Sequence, residues 1–228
     1  MWRHWHNING FFALMLVLWL TLSPQDGLAW QNVSAEADPV QVWVEQQQGE
    51  PFLRVRAEVS VTAPIFSLLH LLQDPKRQHE WLPHTHAVNV IAQPAPGQTL
   101  VRFESEAQWP FSARDAVTLF AVTQPEPDVI QIAMLNQPDA LPLQPSIQRI
   151  QHAAGYWRLT ALDNCSTLVR YEAGSRWGGN IPQWLVNRLN QRIAQQALRN
   201  FQQWAPTQTV ANQPPPQLQV VPRHVDCR

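Results

Sequence analysis

The stretch GGNIPQWLVNRLNQRIAQQALRNFQQW, residues 178–204, decides the architecture of the chain. Ile181, Trp184, Leu185, Leu189, Ile193, Ala197 and Phe201 recur at spacings of three and four, which sets them along one stripe of an α-helix. Asn187, Arg188, Asn190, Gln191, Arg192, Gln195, Gln196 and Arg199 occupy the other side. Asn180 is placed to cap the helix, and Pro182 falls in the first turn, where a missing N–H costs nothing. Pro206 stops it. At about 1.5 Å per residue the element spans roughly 35 Å, enough to cross a whole sheet. A helix with one apolar stripe needs a surface to lie on.

The chain before it supplies strands. Val40 to Gln46 and Phe52 to Thr62 flank a turn at Gln48-Gly49-Glu50-Pro51, and Leu53, Val55, Ala57, Val59 and Val61 alternate with Arg54, Arg56, Glu58 and Ser60. This is the pattern of an antiparallel strand with one wet face. Ala63-Pro64 opens a helix through Leu72, broken at Asp74-Pro75, and a second short helix runs from Lys76 to Trp81. Strands resume over Ala87 to Gln93, Gln98 to Ala107, Asp115 to Gln124, Val129 to Leu135, Gly155 to Leu162 and Ser166 to Ala173. The segment Asn136 to Ser146 holds three prolines and reads as irregular. Antiparallel strands with segregated helices predict an α+β fold. A meander with one apolar face would curl around the long helix in a helix-grip arrangement.

Composition narrows the class. The 228 residues are 45% apolar and 14% charged, with a formal net charge of −1. That balance carries no basic footprint for nucleic acid and is no acidic disordered tract. Eleven tryptophans suit wide apolar surfaces or pockets, or ordinary cores. At the N-terminus Arg3, His4 and His6 precede the apolar run Phe11 to Leu22, and small residues follow at Gly27-Leu28-Ala29. The run falls short of the ~20 residues that span a bilayer and fits a signal-peptide core. Residues 1–29 are therefore expected to be a cleaved signal, with Ala35-Glu36-Ala37 an alternative site, and the protein is expected to be exported, to a bacterial periplasm or outside the cell. A domain over 30–204 would follow, then a Pro- and Gln-rich flexible tail over 205–228. Cys165 and Cys227 are the only cysteines. Export would permit them to pair, and unpaired thiols or an intermolecular contact are the alternatives.

Three stretches together resemble a known family: Trp109-Pro110-Phe111-Ser112-Ala113-Arg114-Asp115-Ala116-Val117; Gly155-Tyr156-Trp157-Arg158-Leu159 with the strand ending at Tyr171; and Gly178-Gly179-Asn180-Ile181-Pro182-Gln183-Trp184-Leu185-Val186-Asn187. The family is the steroidogenic-acute-regulatory-protein-related lipid transfer (START) domain, and Trp81-Leu82-Pro83 matches its tryptophan after the short helices. The resemblance covers residues 40 to 204. It implies a curved sheet gripping the C-terminal helix around a tunnel for one lipid or sterol-like molecule. The gate would lie at Trp109 to Ser112 and at Ile181 to Leu189, and the family's cavity arginine falls on Arg114. Candidate cavity and gate residues are then Phe103, Ser105, Trp109, Phe111, Arg114, Leu119, Trp157, Tyr171, Trp184, Leu185, Leu189 and Ile193. The chain is expected to be a monomer without a cofactor, making transient contact with a membrane surface.

The chemistry follows from burial. At about 0.8 kcal/mol per methylene, a 16-carbon chain gains roughly 13 kcal/mol gross, much of it offset by lost freedom. One or two polar anchors then select the head group. Arg114 is the first candidate anchor, with Tyr171 and Ser105 behind it; the competing role for Arg114 is an ion pair with Asp115 or a nearby glutamate. Trp109, Phe111 and Trp184 are gate residues or plain packing. His79, Glu80, His84 and His86 offer metal-ligand atoms, but they straddle a helix end and Pro83, so a solvated histidine cluster is expected and no metal centre. The chain has no Gly-rich phosphate loop, no Gly-x-Ser-x-Gly elbow, no His-Glu-x-x-His and no Cys-x-x-Cys. The leading expectation is a non-catalytic lipid binder or carrier. The alternatives are an enzyme (a cyclase, isomerase or hydrolase) acting on a hydrophobic substrate in the same cavity, and a scaffold that binds another protein.

Overall fold

The computed structural model describes residues 29–107, 111–162, 165–210, 212–216 and 218. Its strands are β1 (Gln31–Asn32), β2 (Gln41–Gln46), β3 (Leu53–Val61), β4 (Thr85–Ala92), β5 (Gln98–Ser105), β6 (Arg114–Glu126), β7 (Val129–Asn136), β8 (Gln148–Arg149), β9 (His152–Ala161) and β10 (Thr167–Arg176). The helices are α1 (Ile65–Gln73) and α2 (Gln183–Trp204). The strands form one sheet in the order β1-β2-β3-β10-β9-β7-β6-β5-β4, with the short β8 paired in parallel to β6. The sheet curves around α2, the expected helix-grip α+β fold.

The strand alternation expected for β3 holds: Val55, Ala57, Val59 and Val61 are buried. Its neighbour β10 sets Val169 opposite Val59 and Tyr171 opposite Ala57. A Cβ on Gly155 would lie 2.0 Å from the Glu172 carbonyl oxygen, so the approach of β9 to β10 admits only glycine there.

The packed core sits at one end of the grip. It joins β2, β3, β9 and β10 to α1 and to the C-terminal half of α2, through Phe66, Leu68, Leu69, Leu159, Ala197, Leu198 and Phe201. Trp81 closes this core with its ring 4.8 Å from Phe201 and 6.0 Å from Trp157. The N-terminal half of α2 faces β5, β6 and β7 without filling the space between.

Several elements differ from expectation. Helix α2 starts at Gln183 with Pro182 as its extended N-cap and no side-chain cap, in place of Gly178 with Asn180. Gly178 and Gly179 have φ of 73° and 71°, a left-handed turn, and a proline disfavours helical geometry at the residue before it. The buried stripe is Val186, Ala194, Ala197, Leu198 and Phe201, while Trp184 is 66% exposed. Two residues assigned to the polar side turn inward: Asn187 accepts the Leu53 N–H at 3.1 Å, and Asn190 lines a cavity. The expected helix Lys76 to Trp81 is a single 3₁₀ turn, Gln78–Glu80. The two-residue strands β1 and β8 are too short to carry a periodic signal. The irregular segment after β7 is pinned by the fully buried Arg149, which donates to the Pro138, Leu141 and Pro142 carbonyls.

Candidate functional site

Two adjoining chambers fill the unpacked half of the grip, of about 270 Å³ and about 290 Å³. Leu82, Phe103, Ile150, Trp177 and Ile193 line both. The first is mostly apolar: Val101, Phe120, Ile132 and Met134 come from the sheet, and Trp81 and Trp157 form its floor against the core. Phe103 and Phe120 meet edge-on at 5.8 Å, and Trp157 and Tyr171 lie 4.8 Å apart. The second lies toward the loop after β5 and is lined by His84, Ser105, Phe111, Arg114 and Leu189. A side pocket of about 80 Å³ runs under α2 between Tyr171, Ser175, Asn190 and Ala197.

Arg114 is the one arginine lining the second chamber among the described residues, and Glu104, Glu106 and Asp115 border the same space. It is 7% exposed, yet it forms no ion pair among the described residues. One terminal nitrogen donates to the Ser112 carbonyl at 2.7 Å, and Nε has no partner there. The guanidinium lies 5.9 Å from the Phe111 ring centre and 5.5 Å from that of Trp177. Burial pushes its pKa down from the usual arginine value. The expected alternative, a pair with Asp115, does not form. Successive residues of a strand face opposite sides, and Asp115 points away to Arg149 at 2.7 Å and Arg102 at 2.8 Å. Burial alone would raise the Asp115 pKa, but the hydrogen bonds and charges of Arg149 and Arg102 outweigh it and hold the carboxyl below its ordinary value.

Of the expected cavity residues, Phe103, Ser105, Phe111, Arg114, Trp157, Tyr171, Leu189 and Ile193 converge on the chambers. The Ser105 hydroxyl lies 3.4 Å from the Arg114 carbonyl. Leu119 does not converge: it faces the opposite side of the sheet, paired between Leu100 and Leu135. Period-two arithmetic contains this correction, because Arg114 and Leu119 are an odd number of residues apart and cannot share a face of one regular strand. The same rule places Thr118 and Phe120 inside with Arg114, and both line the first chamber. Trp184 and Leu185 precede the turn of α2 that reaches the hollow and line none of the three cavities. Trp109 and Cys227 lie outside the described residues, and no cysteine among the described residues is a free thiol. His79, His84, His86 and Glu80 border a separate outward pocket, where His86 Nδ1 lies 3.0 Å from Glu106.

Residues missed from sequence include Leu82, Ile150, Trp177 and Asn190. Leu82 sits inside the Trp81-Leu82-Pro83 stretch that carried the resemblance. Ile150 and Trp177 lie in connections, where no periodicity reports which way a side chain faces.

The comparisons agree with this geometry. An uncharacterized protein of Pseudomonas aeruginosa is 24% identical over 157 residues, 68% of this chain and 77% of that protein. A STAR-related lipid transfer protein from Xanthomonas axonopodis superposes with a TM-score of 0.71 at 26% identity, over 78% of this chain and 99% of that one. Human STARD10 superposes with a TM-score of 0.68 over 77% of this chain and 72% of its own; at 19% identity it bears on the fold alone. The START domain family model matches residues 18–207, and with the sheet, the gripping helix and the hollow between them, the chain belongs to that family.

Proposed function

We propose that the protein binds one lipid-like amphiphile in this hollow and carries or presents it without covalent chemistry. The observation that carries the reading is a buried guanidinium, lacking a carboxylate partner among the described residues, at the mouth of an apolar chamber. An uncompensated buried charge costs several kcal/mol, and an anionic or strongly accepting head group beside Arg114 removes that cost. The hydrocarbon part then lies against Phe103, Phe120, Trp157 and Met134. Tyr171 is the one titratable side chain lining the first chamber among the described residues. Burial pushes its pKa up to about 12, so it stays protonated and is a poor base near neutrality.

Native mass spectrometry of the purified protein tests the proposal directly. We expect one co-purifying small molecule per chain, and uptake of a fluorescent fatty acid after delipidation. For Arg114→Ala, anionic probes should bind at least tenfold more weakly, about 1.4 kcal/mol. A protein that takes up no lipid is instead a scaffold, and one that converts the extracted ligand is an enzyme.

We also infer export, with transient membrane contact during loading. The exposed Trp184 on the first turn of α2 suits an interfacial aromatic. N-terminal sequencing of the processed protein tests the cleavage near residue 29.

A further inference from the structure

A second polar locus lies apart from Arg114. On β10, Tyr171, Ala173 and Ser175 share the inner face, and the small Ala173 leaves space between the two hydroxyl-bearing neighbours. Helix α2 brings Asn190 to the same place. The Ser175 hydroxyl oxygen accepts from Trp177 Nε1 at 3.2 Å and from Asn190 Nδ2 at 2.9 Å. A hydroxyl has two acceptor sites and one donor. Both acceptor sites are taken, so Ser175 has only its proton left to offer. The Asn190 amide, with one N–H given to Ser175, keeps its carbonyl oxygen without a hydrogen-bond partner among the described residues. The Tyr171 phenol has no hydrogen-bond partner among them either, although it sits deep in the fold against Trp157. The rest of the side pocket is apolar, from Val55, Ile193, Ala194, Ala197 and Leu198.

These polar atoms open on the cavity, so a ligand that enters it must supply their partners, and an asparagine in mid-helix facing apolar neighbours gains nothing from helix propensity. The donors and the acceptor are held by different elements but open on one space of about 80 Å³. A ligand hydroxyl satisfies both kinds at once, accepting from Tyr171 or Ser175 and donating to the Asn190 carbonyl. We propose that Tyr171, Ser175 and Asn190 form a neutral polar subsite that selects amphiphiles bearing a hydroxyl on the hydrocarbon part, separate from the head group. This inference rests on the lipid-cavity reading above and narrows its ligand class. A ketone or ester carbonyl, which only accepts, fills the site in part. Burial holds the Tyr171 proton in place well above neutral pH, which keeps the phenol a donor under all working conditions.

The test is calorimetric titration of the delipidated protein with octadecanoic acid and with octadecanoic acids carrying one mid-chain hydroxyl or one mid-chain ketone, at several chain positions. The best-placed hydroxyl should tighten binding over the parent acid by about two- to tenfold, the net worth of one hydrogen bond, with the ketone between them. In Tyr171→Phe and in Asn190→Leu the ratio of hydroxylated to parent affinity should fall to about one. The ratio is read within each variant, and the smaller change, Tyr171→Phe, carries the test if Asn190→Leu does not fold. Equal affinities in the unaltered protein mean that water satisfies the pocket, and they overturn the subsite while leaving the cavity reading intact. A preference that survives both substitutions overturns it too. Binding of none of the acids overturns the cavity reading and this one together.

Discussion

Arg114 and Asp115 are chain neighbours with opposite fates. One points into the hollow without a carboxylate partner among the described residues; the other is sealed behind the sheet between two arginines. Removing the Asp115 carboxylate leaves Arg149 buried without its partner, so Asp115→Ala should cost about 3–5 kcal/mol in urea unfolding. Because the folded pKa of Asp115 is depressed, its contribution is complete above the ordinary carboxylate value and is lost as pH falls through the folded one. Acid titration of stability should therefore be steeper below about pH 4 in the unaltered protein than in Asp115→Asn. Tyr171 behaves in the opposite sense. Its pKa is raised to about 12 by burial, so the stability tied to its protonated form is complete below about pH 10 and lost between there and 12. Tyr156 adds to the same alkaline loss, through burial and its hydrogen bond to Glu172, but remains in both proteins. The difference between the unaltered protein and Tyr171→Phe, melted across that window, isolates the Tyr171 share.

Helix α2 performs two tasks along its length. Its C-terminal half is core: Ala197, Leu198 and Phe201 are nearly inaccessible and pack on β3 and Trp81. Its N-terminal half is cavity wall, with Leu189 and Ile193 half-buried against empty space. Substitutions should separate the two. Phe201→Ala should lower stability by about 3–5 kcal/mol. Leu189→Arg should leave the melting temperature within a few degrees while abolishing uptake of a fluorescent fatty acid, because the charge enters the second chamber and not the core. Loss of folding in Leu189→Arg would show that the N-terminal half is packed, and would remove the hollow.

For the whole molecule, the proposed ligand would stabilise the fold by filling the hollow. A ligand at a hundred times its Kd adds about 2.7 kcal/mol. Delipidated protein should therefore melt several degrees below the protein as purified and recover on adding the extracted ligand; an unchanged melting curve would mean the chambers hold nothing. Pairing of Cys165 with Cys227 would close the tail onto the last hairpin. Peptide mapping without reduction reads it as a single linked fragment, and two alkylated cysteines would refute it.

The sequence by itself determined the elements and their family: the eight long strands, both helices, the wet and dry faces of β3, and the motifs at residues 109–117, 155–159 and 178–187. These are local properties, since hydrophobic period and turn chemistry act over a few residues. It also brought Arg114, Phe103 and Tyr171 to the site, through strand alternation and resemblance. Tertiary structure alone decided which way α2 is rotated, and hence that Asn190 faces inward and Trp184 outward. It also decided that Asp115 is taken by Arg102 and Arg149, 13 and 34 residues away along the chain. Those outcomes depend on strand register and on which distant side chains fill the space first, and no local pattern records either.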